Sequence, residues 1–225
     1  MESQVIKILF VEDHPLILEG YVRALKLLKK QRPELDFKIS EAASSDAAIH
    51  LLHRQVPIGF DLVMLDLVIP PSRCGRWLSG EDIGREVRQR HPESKLLINT
   101  SFDSVYRINS LFKTLNPEGF LIKVESNASN IMDAISSLID GNTFYGPSVI
   151  QVLRKNLAHD FVVDQWDRQI LYRLSLGAST ASLSNILPMS KATIERRKRH
   201  LKEIFDVVGQ DDQKLLGRAR ELGFI

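Results

Sequence analysis

The sequence predicts an α/β domain built on a parallel sheet, followed by a small all-helical domain. Two observations predict it. Residues 1–141 alternate short apolar runs with segments of helical spacing, the pattern of parallel strands buried on both faces between crossover helices. Beyond them no further strand pattern occurs, and from about Asp164 the apolar residues keep helical spacing. A length of 225 residues suits one large domain or two small ones.

The five strands are read at Ile6–Val11, Phe37–Ala42, Leu62–Asp66, Leu96–Thr100 and Gly119–Lys123. Helical spacing between them includes Leu16, Tyr21, Leu25 and Leu28 in the first helix, and Ile131, Ile135, Leu138 and Ile139 in the fifth. Gly141 closes that helix. The segment "GNTFYGPSVI" then reads as a cluster of breakers, and Ser148–Leu157 as a short connecting helix. The expected organisation is a first domain at 1–141, a linker at 142–163 and a second domain at 164–225.

In the second domain Asp164 and Asp167 make an acidic helix start, weaker than a capping box with Glu or Gln. Trp166, Ile170, Leu171 and Leu174 form the apolar face of that helix, which stops at Gly177. A short helix follows over Ser179–Leu187, with Leu183, Ile186 and Leu187 inward. Pro188 and Met189 make a turn, and Ser190 caps a third helix with Ile194, Leu201, Ile204, Phe205 and Val208 as apolar positions. A last helix runs from about Asp211 to Leu222, with Leu215, Leu216, Ala219 and Leu222 as a stripe for packing on its own domain or for pairing with another copy. Two short helices across a tight turn, the second basic, make a helix-turn-helix pattern.

Composition narrows the function. The chain is 44% apolar and 26% charged, an ordinary globular balance. No run approaches the ~18 apolar residues of a membrane span. The start, "MESQVIKILFVEDHP", is broken by Lys7 and does not read as a signal peptide. One cysteine, Cys74, excludes a disulfide framework and a cysteine metal cage. A cytoplasmic location with no membrane partner is expected. The net charge of +2 is unevenly divided, with −1 over 1–163 and +3 from Asp164 onward. Lys191–Lys202 alone holds six Lys/Arg against Glu195. Such a block is either a nucleic-acid footprint or a solvated helix face.

In open parallel sheets, ligands bind beyond the carboxyl ends of the strands. Here those ends carry Glu12 and Asp13 on the first strand, Asp66 on the third, Thr100 and Ser101 on the fourth, and Lys123 on the fifth. With strand order 2-1-3-4-5, three carboxylates converge beside a hydroxyl and an ammonium. Clustered carboxylates repel unless a hard dication relieves them, and Mg²⁺ takes oxygen ligands beside phosphates. Asp66 then reads as a phosphoryl acceptor. Glu12, Asp13, Asp66 and the Val68 carbonyl hold Mg²⁺, and Thr100 and Lys123 bind phosphoryl oxygens.

The stretches "ILFVEDHP", "LVMLDLVIPP", "LLINTS" and "GFLIKVES" together resemble the receiver domain of two-component response regulators. The resemblance implies a flavodoxin-like (βα)₅ fold and phosphorylation of Asp66 by a cognate histidine kinase. It also matches Phe120 to the family's aromatic switch. Val124 departs from the residues usual after the lysine. A larger departure is the loop "PPSRCGRWLSG", roughly six residues longer than the family pattern, although long surface loops cost little. It carries Arg73, Arg76 and Trp77, and either dresses the phosphorylation pocket, offers a partner contact or is a tolerated insertion.

From Val163 to Phe205, "VDQWDRQILYRLSLGASTASLSNILPMSKATIERRKRHLKEIF" resembles the LuxR/NarL-type helix-turn-helix. That resemblance implies a four-helix domain whose third helix enters the major groove of double-stranded DNA, binding as a homodimer. The family's base-facing positions map onto Glu195, Arg196 and Arg199, and Glu195 departs from the common Lys. Arg reads guanine and Glu accepts from cytosine. Ser190, Thr193, Lys198 and Lys202 are assigned to phosphates, with Arg197 near the inner face.

The expectation is a DNA-binding transcription regulator switched at Asp66, not an enzyme beyond slow loss of its own phosphoryl group. Two alternatives are a regulator acting without phosphorylation and an aspartyl-nucleophile phosphohydrolase. The second is disfavoured because the nucleophile there usually lies on the first strand, with an Asp two residues on, where this chain has Val68.

Overall fold

The computed structural model describes residues 3–54, 59–155 and 162–225. By contacts the chain forms two compact units, Met1–Asp103 with Leu115–Lys155, and Ser104–Thr114 with Asn156–Ile225.

The strands of the first part are β1 (Gln4–Val11), β2 (Leu35–Ala42), β3 (Leu62–Leu65), β4 (Lys95–Thr100) and β5 (Gly119–Ile122). Helices α1 (Pro15–Gln31), α2 (Ser45–Arg54), α3 (Gly80–Arg90), α4 (Val105–Leu115) and α5 (Ala128–Ile139) follow them in turn. All pairings are parallel, in the order β2-β1-β3-β4-β5. A sixth strand of two residues, β6 (Phe144–Tyr145), extends this order beside β5. No strand was expected there. Two residues among glycines leave no alternation to read, and the pairing comes from the edge that β5 offers.

The strands bury both faces: every residue of β3 and β5 is buried, as continuous apolar runs require. Ile8, Phe10, Met64, Leu97 and Leu121 pack against Tyr21, Leu25 and Leu28 of α1 and Ile131, Ile135 and Leu138 of α5. Leu16, read with the α1 face, is instead 82% exposed at its first turn. The connecting helix is α6 (Pro147–Lys155). Asn156 and Leu157 of the expected helix, and linker residues 156–161, lie outside the described residues.

The C-terminal helices are α7 (Gln165–Ser175), α8 (Thr180–Ile186), α9 (Lys191–Ile204) and α10 (Asp212–Glu221). Asp164 and Asp167 make a full reciprocal capping box on α7, stronger than their sequence suggested. Ser179, Ser190 and Asp211 cap the other three through their side chains. One core joins Ile170, Leu171, Leu183, Ile194, Leu201, Leu215, Leu216, Ala219 and Leu222. The apolar stripe of α10 is therefore spent inside its own domain. Two apolar assignments are corrected: Ile186 is 49% exposed and Val208 is 66% exposed. α9 stops at Ile204, and Asp206 takes a left-handed φ of 57°. This change of direction sends Val207 inward in place of Val208.

Candidate functional site

Strand register builds the first site. Val11 pairs with Leu65, and Thr100 pairs with Ile122. One step further, Glu12 and Asp66 leave neighbouring strands side by side, and Lys123 follows β5 at the start of a 3₁₀ turn, Lys123–Glu125. The Asp66 backbone N–H still donates to the Val11 carbonyl at 2.9 Å, so the acid is fixed just beyond the last pair.

Glu12 and Asp66 are both 2% exposed, and Thr100 is fully buried. Lys123 Nζ lies 2.8 Å from Asp66 Oδ2 and 2.8 Å from Glu12 Oε2. The Val68 N–H donates to Asp66 Oδ1 at 3.1 Å. Burial raises the pKa of Asp66 despite the bonds from Lys123 and Val68. Burial works the other way on Lys123, but the bonds to Asp66 and Glu12 outweigh it and raise its pKa. The two shifts pull against each other within one ion pair. The carboxylate is the more enclosed partner, at 2% side-chain exposure against 17%, so desolvation decides its direction.

Three carboxylates therefore face one ammonium. Glu12, Asp13, His14 and Asp66 each offer a ligand atom, all within 4.8 Å of one another. Asp13 Oδ1 is enclosed and lies 2.8 Å from His14 Nδ1, yet receives no aligned hydrogen bond. A buried, unsatisfied oxygen and an uncompensated double negative charge fit a hard dication. His14 was not foreseen at this site. Its position directly after the acidic pair was the available signal.

Other residues of this site fall as follows. Phe120 is fully buried within β5, and Val68 is 45% exposed. Gly80 opens α3, and a Cβ there would stand 1.9 Å from the Asp66 carbonyl oxygen. The long loop runs along α2 and α3. Pro70 O accepts from Ser45 Oγ at 2.8 Å, the Arg73 N–H donates to Asp46 at 3.1 Å, and Trp77 Nε1 donates to Glu86 at 3.1 Å. Arg76 stacks over the Trp77 ring at 4.9 Å. Trp77 is thereby half-buried.

On α9, Lys191, Glu195, Arg196 and Arg199 are exposed, joined by Ala192 and His200, which sequence reasoning did not single out. Ser190 Oγ accepts from the Thr193 N–H at 3.2 Å, so its side chain caps the helix. Lys198, assigned above to a phosphate, is turned inward. It is 7% exposed, 2.6 Å from Asp212 and 2.9 Å from Thr180 Oγ1. Lys198 follows Ile194 by one turn and so falls on the inner face, where an acid and a hydroxyl meet its charge. Lys202 is half-buried, 3.1 Å from the same Asp212. Arg197 bonds Asp164 at 2.9 Å and Asp167 at 2.8 Å, joining α9 to the cap of α7.

No protein-family profile matches the chain. Among curated proteins, a probable transcriptional regulatory protein NarL of Mycobacterium tuberculosis is 23% identical over 94% of this chain and 92% of its own length. The nitrate/nitrite response regulator NarP of Escherichia coli is 24% identical over 89% and 88%. Among solved structures, RcsB of Salmonella enterica serovar Typhimurium bound to promoter P1flhDC in the presence of the phosphomimetic BeF₃⁻ aligns with a TM-score of 0.60 and 20% identity. That alignment covers 95% of this chain and 97% of RcsB, and it shows a shared fold. Among the described residues, no helix is long and apolar enough to cross a membrane. In sequence the chain is similar to two-component response regulators of the LuxR/NarL type, and in fold to RcsB.

Proposed function

We propose that the chain is a DNA-binding transcription regulator, residues 1–141 receiving a phosphoryl group at Asp66 and residues 164–225 binding DNA. One observation carries this: Glu12, Asp66 and Lys123 meet at one sheet edge, beside Asp13 and Thr100, in a chain whose α9 exposes Arg196 and Arg199.

The phosphoryl donor is the phosphohistidine of a cognate kinase. A carboxylate oxygen of Asp66 attacks phosphorus, the P–N bond breaks, and its electron pair leaves with the imidazole. Glu12, Asp13, Asp66 and the Val68 carbonyl are the residues to hold Mg²⁺, which neutralises charge on the phosphoryl oxygens when bound. Lys123 moves its ammonium from Glu12 toward the new dianion, and Thr100 offers it a hydroxyl. Buried Phe120 is assigned to the switch, coupling this change to the β5 edge. The phosphoryl group then shifts a two-state receiver toward the form that pairs as a homodimer. Arg196, Arg199 and Glu195 read base edges, and Ser190, Thr193, Lys198 and Lys202 meet phosphates. The two lysines must leave Asp212 to do so.

Acetyl phosphate with Mg²⁺ tests the acceptor. Intact-mass analysis should show one phosphoryl group on the wild type and none on Asp66→Asn. Labelling that survives Asp66→Asn, or needs no divalent cation, would place the acceptor elsewhere.

A further inference from the structure

Tyr21 and Asn99 have no role above, yet both are buried, at 2% and 1% exposure, with Tyr21 against Glu12 and Asn99 behind it. Asn99 Nδ2 donates to Tyr21 Oη at 2.8 Å, and Tyr21 Oη donates to Glu12 Oε2 at 3.2 Å. On the far side Ser126 Oγ donates to Asn99 Oδ1 at 2.6 Å. The same hydroxyl lies 3.2 Å from the carbonyl of Ile122, the residue before Lys123. One line of hydrogen bonds thus runs from Glu12 through α1 and β4 to the segment that carries Lys123.

An unbonded phenol or carboxamide in this apolar layer would be left without the partners it has in water, which destabilises the fold. The line is therefore sustained as a set. Its contact with Glu12 also differs in kind from the others. Lys123 divides its ammonium between Glu12 and Asp66 on a flexible stem. His14 meets the other oxygen, Oε1, through its backbone N–H at 3.1 Å and through a side chain that is 60% exposed, so Tyr21 is the enclosed side chain on Oε2. The Tyr21 ring is held against Phe10 with centroids 5.3 Å apart.

We propose that Tyr21, held by Asn99 and Ser126, is a positioning residue that fixes the Glu12 carboxylate for divalent-cation binding. This rests on the reading of Glu12 as a metal ligand. Hydrogen bonds that orient a ligating carboxylate are worth about 10–100-fold in metal affinity.

The test uses Mn²⁺ as the probe and the full chain without any phosphoryl donor. Free Mn²⁺ is counted by its electron paramagnetic resonance signal. Tyr21→Phe keeps the ring and should weaken Mn²⁺ binding about 10-fold. Asn99→Ala should weaken it similarly, and the double variant no further than either alone, because the two residues act in series. Ser126→Ala should weaken binding while Ser126→Thr, which keeps the hydroxyl, restores it. Thermal unfolding of the metal-free proteins separates these effects from folding, and if Asn99→Ala does not fold, Tyr21→Phe and the Ser126 pair decide.

Tyr21→Phe binding within about twofold of wild type, far from the 10-fold floor, would overturn the proposal if Asp66→Asn still abolishes binding. Additive losses in the double variant would overturn the serial arrangement. Wild-type binding that Asp66→Asn leaves unchanged would overturn the metal-site reading itself, and the proposal with it.

Discussion

Gly80→Ala places one methyl group where the first unit has no space. The new Cβ would stand 1.9 Å from the Asp66 carbonyl oxygen, 2.8 Å from its carbonyl carbon and 2.9 Å from Leu67 Cα. All three are backbone atoms, so no side chain can swing aside. Real Cβ contacts essentially never fall below 3.0 Å, so the start of α3 and the end of β3 must separate by about 1.1 Å. Overpacking of this kind costs about 1–3 kcal/mol. In a unit of this size, each kcal/mol lowers Tm by roughly 2–4 °C, which predicts a fall of roughly 2–12 °C. The displaced backbone carries Asp66, and a shift of about 1 Å in a reacting group costs on the order of 100-fold in rate. Calorimetry and acetyl-phosphate labelling followed over time are the assays. An unchanged Tm with labelling at the wild-type rate would show that the contact between α3 and Asp66 does not constrain the acceptor.

Asp66→Asn should stabilise the metal-free protein at neutral pH. The folded-state pKa of Asp66 lies above its ordinary 3.8, so folding penalises its charge. That penalty is absent below 3.8, grows as pH rises through the raised value and is then constant, so the gain in Tm should vanish in acid and should shrink when Mg²⁺ is added. On α9, Arg199→Ala should cost about 1–3 kcal/mol in affinity for the selected duplex and relax its preference at one base position, with little change in Tm. Lys198→Ala should instead lower Tm, because it leaves Asp212 with one lysine fewer; equal Tm values for the two variants would refute the inward placement of Lys198. Arg197→Leu leaves Asp167, 3% exposed, facing Asp164 without a cation, and should cost about 1–3 kcal/mol in urea unfolding. Unchanged stability would refute the tie between α9 and the α7 cap.

The strands and the carboxylate cluster were legible because both depend on local order. A strand buried on two faces must be apolar throughout, so the polar residue that ends it stands out, as Asp66 does after "LVML". The interior of the second domain was less legible. Lys198 reads as solvent-facing by its charge, although its spacing from Ile194 and Leu201 already turned it inward. Val208 continues a helical period that the left-handed Asp206 breaks. β6 is too short for any pattern. The line from Glu12 to Ser126 escaped because Tyr21 satisfies an apolar helix position and hides its hydroxyl. Asn99, a lone amide within "LLINT", was the visible trace of it.

Phosphorylation at Asp66 is proposed to control DNA binding. The most direct test measures affinity for a duplex that the protein itself selects from a random-sequence pool, with and without acetyl phosphate and Mg²⁺, at fixed salt. Phosphorylation should raise the affinity of the wild type, with dimers appearing in sedimentation, and leave Asp66→Asn unchanged. Equal affinity and equal sedimentation for the phosphorylated and unphosphorylated wild type would contradict it.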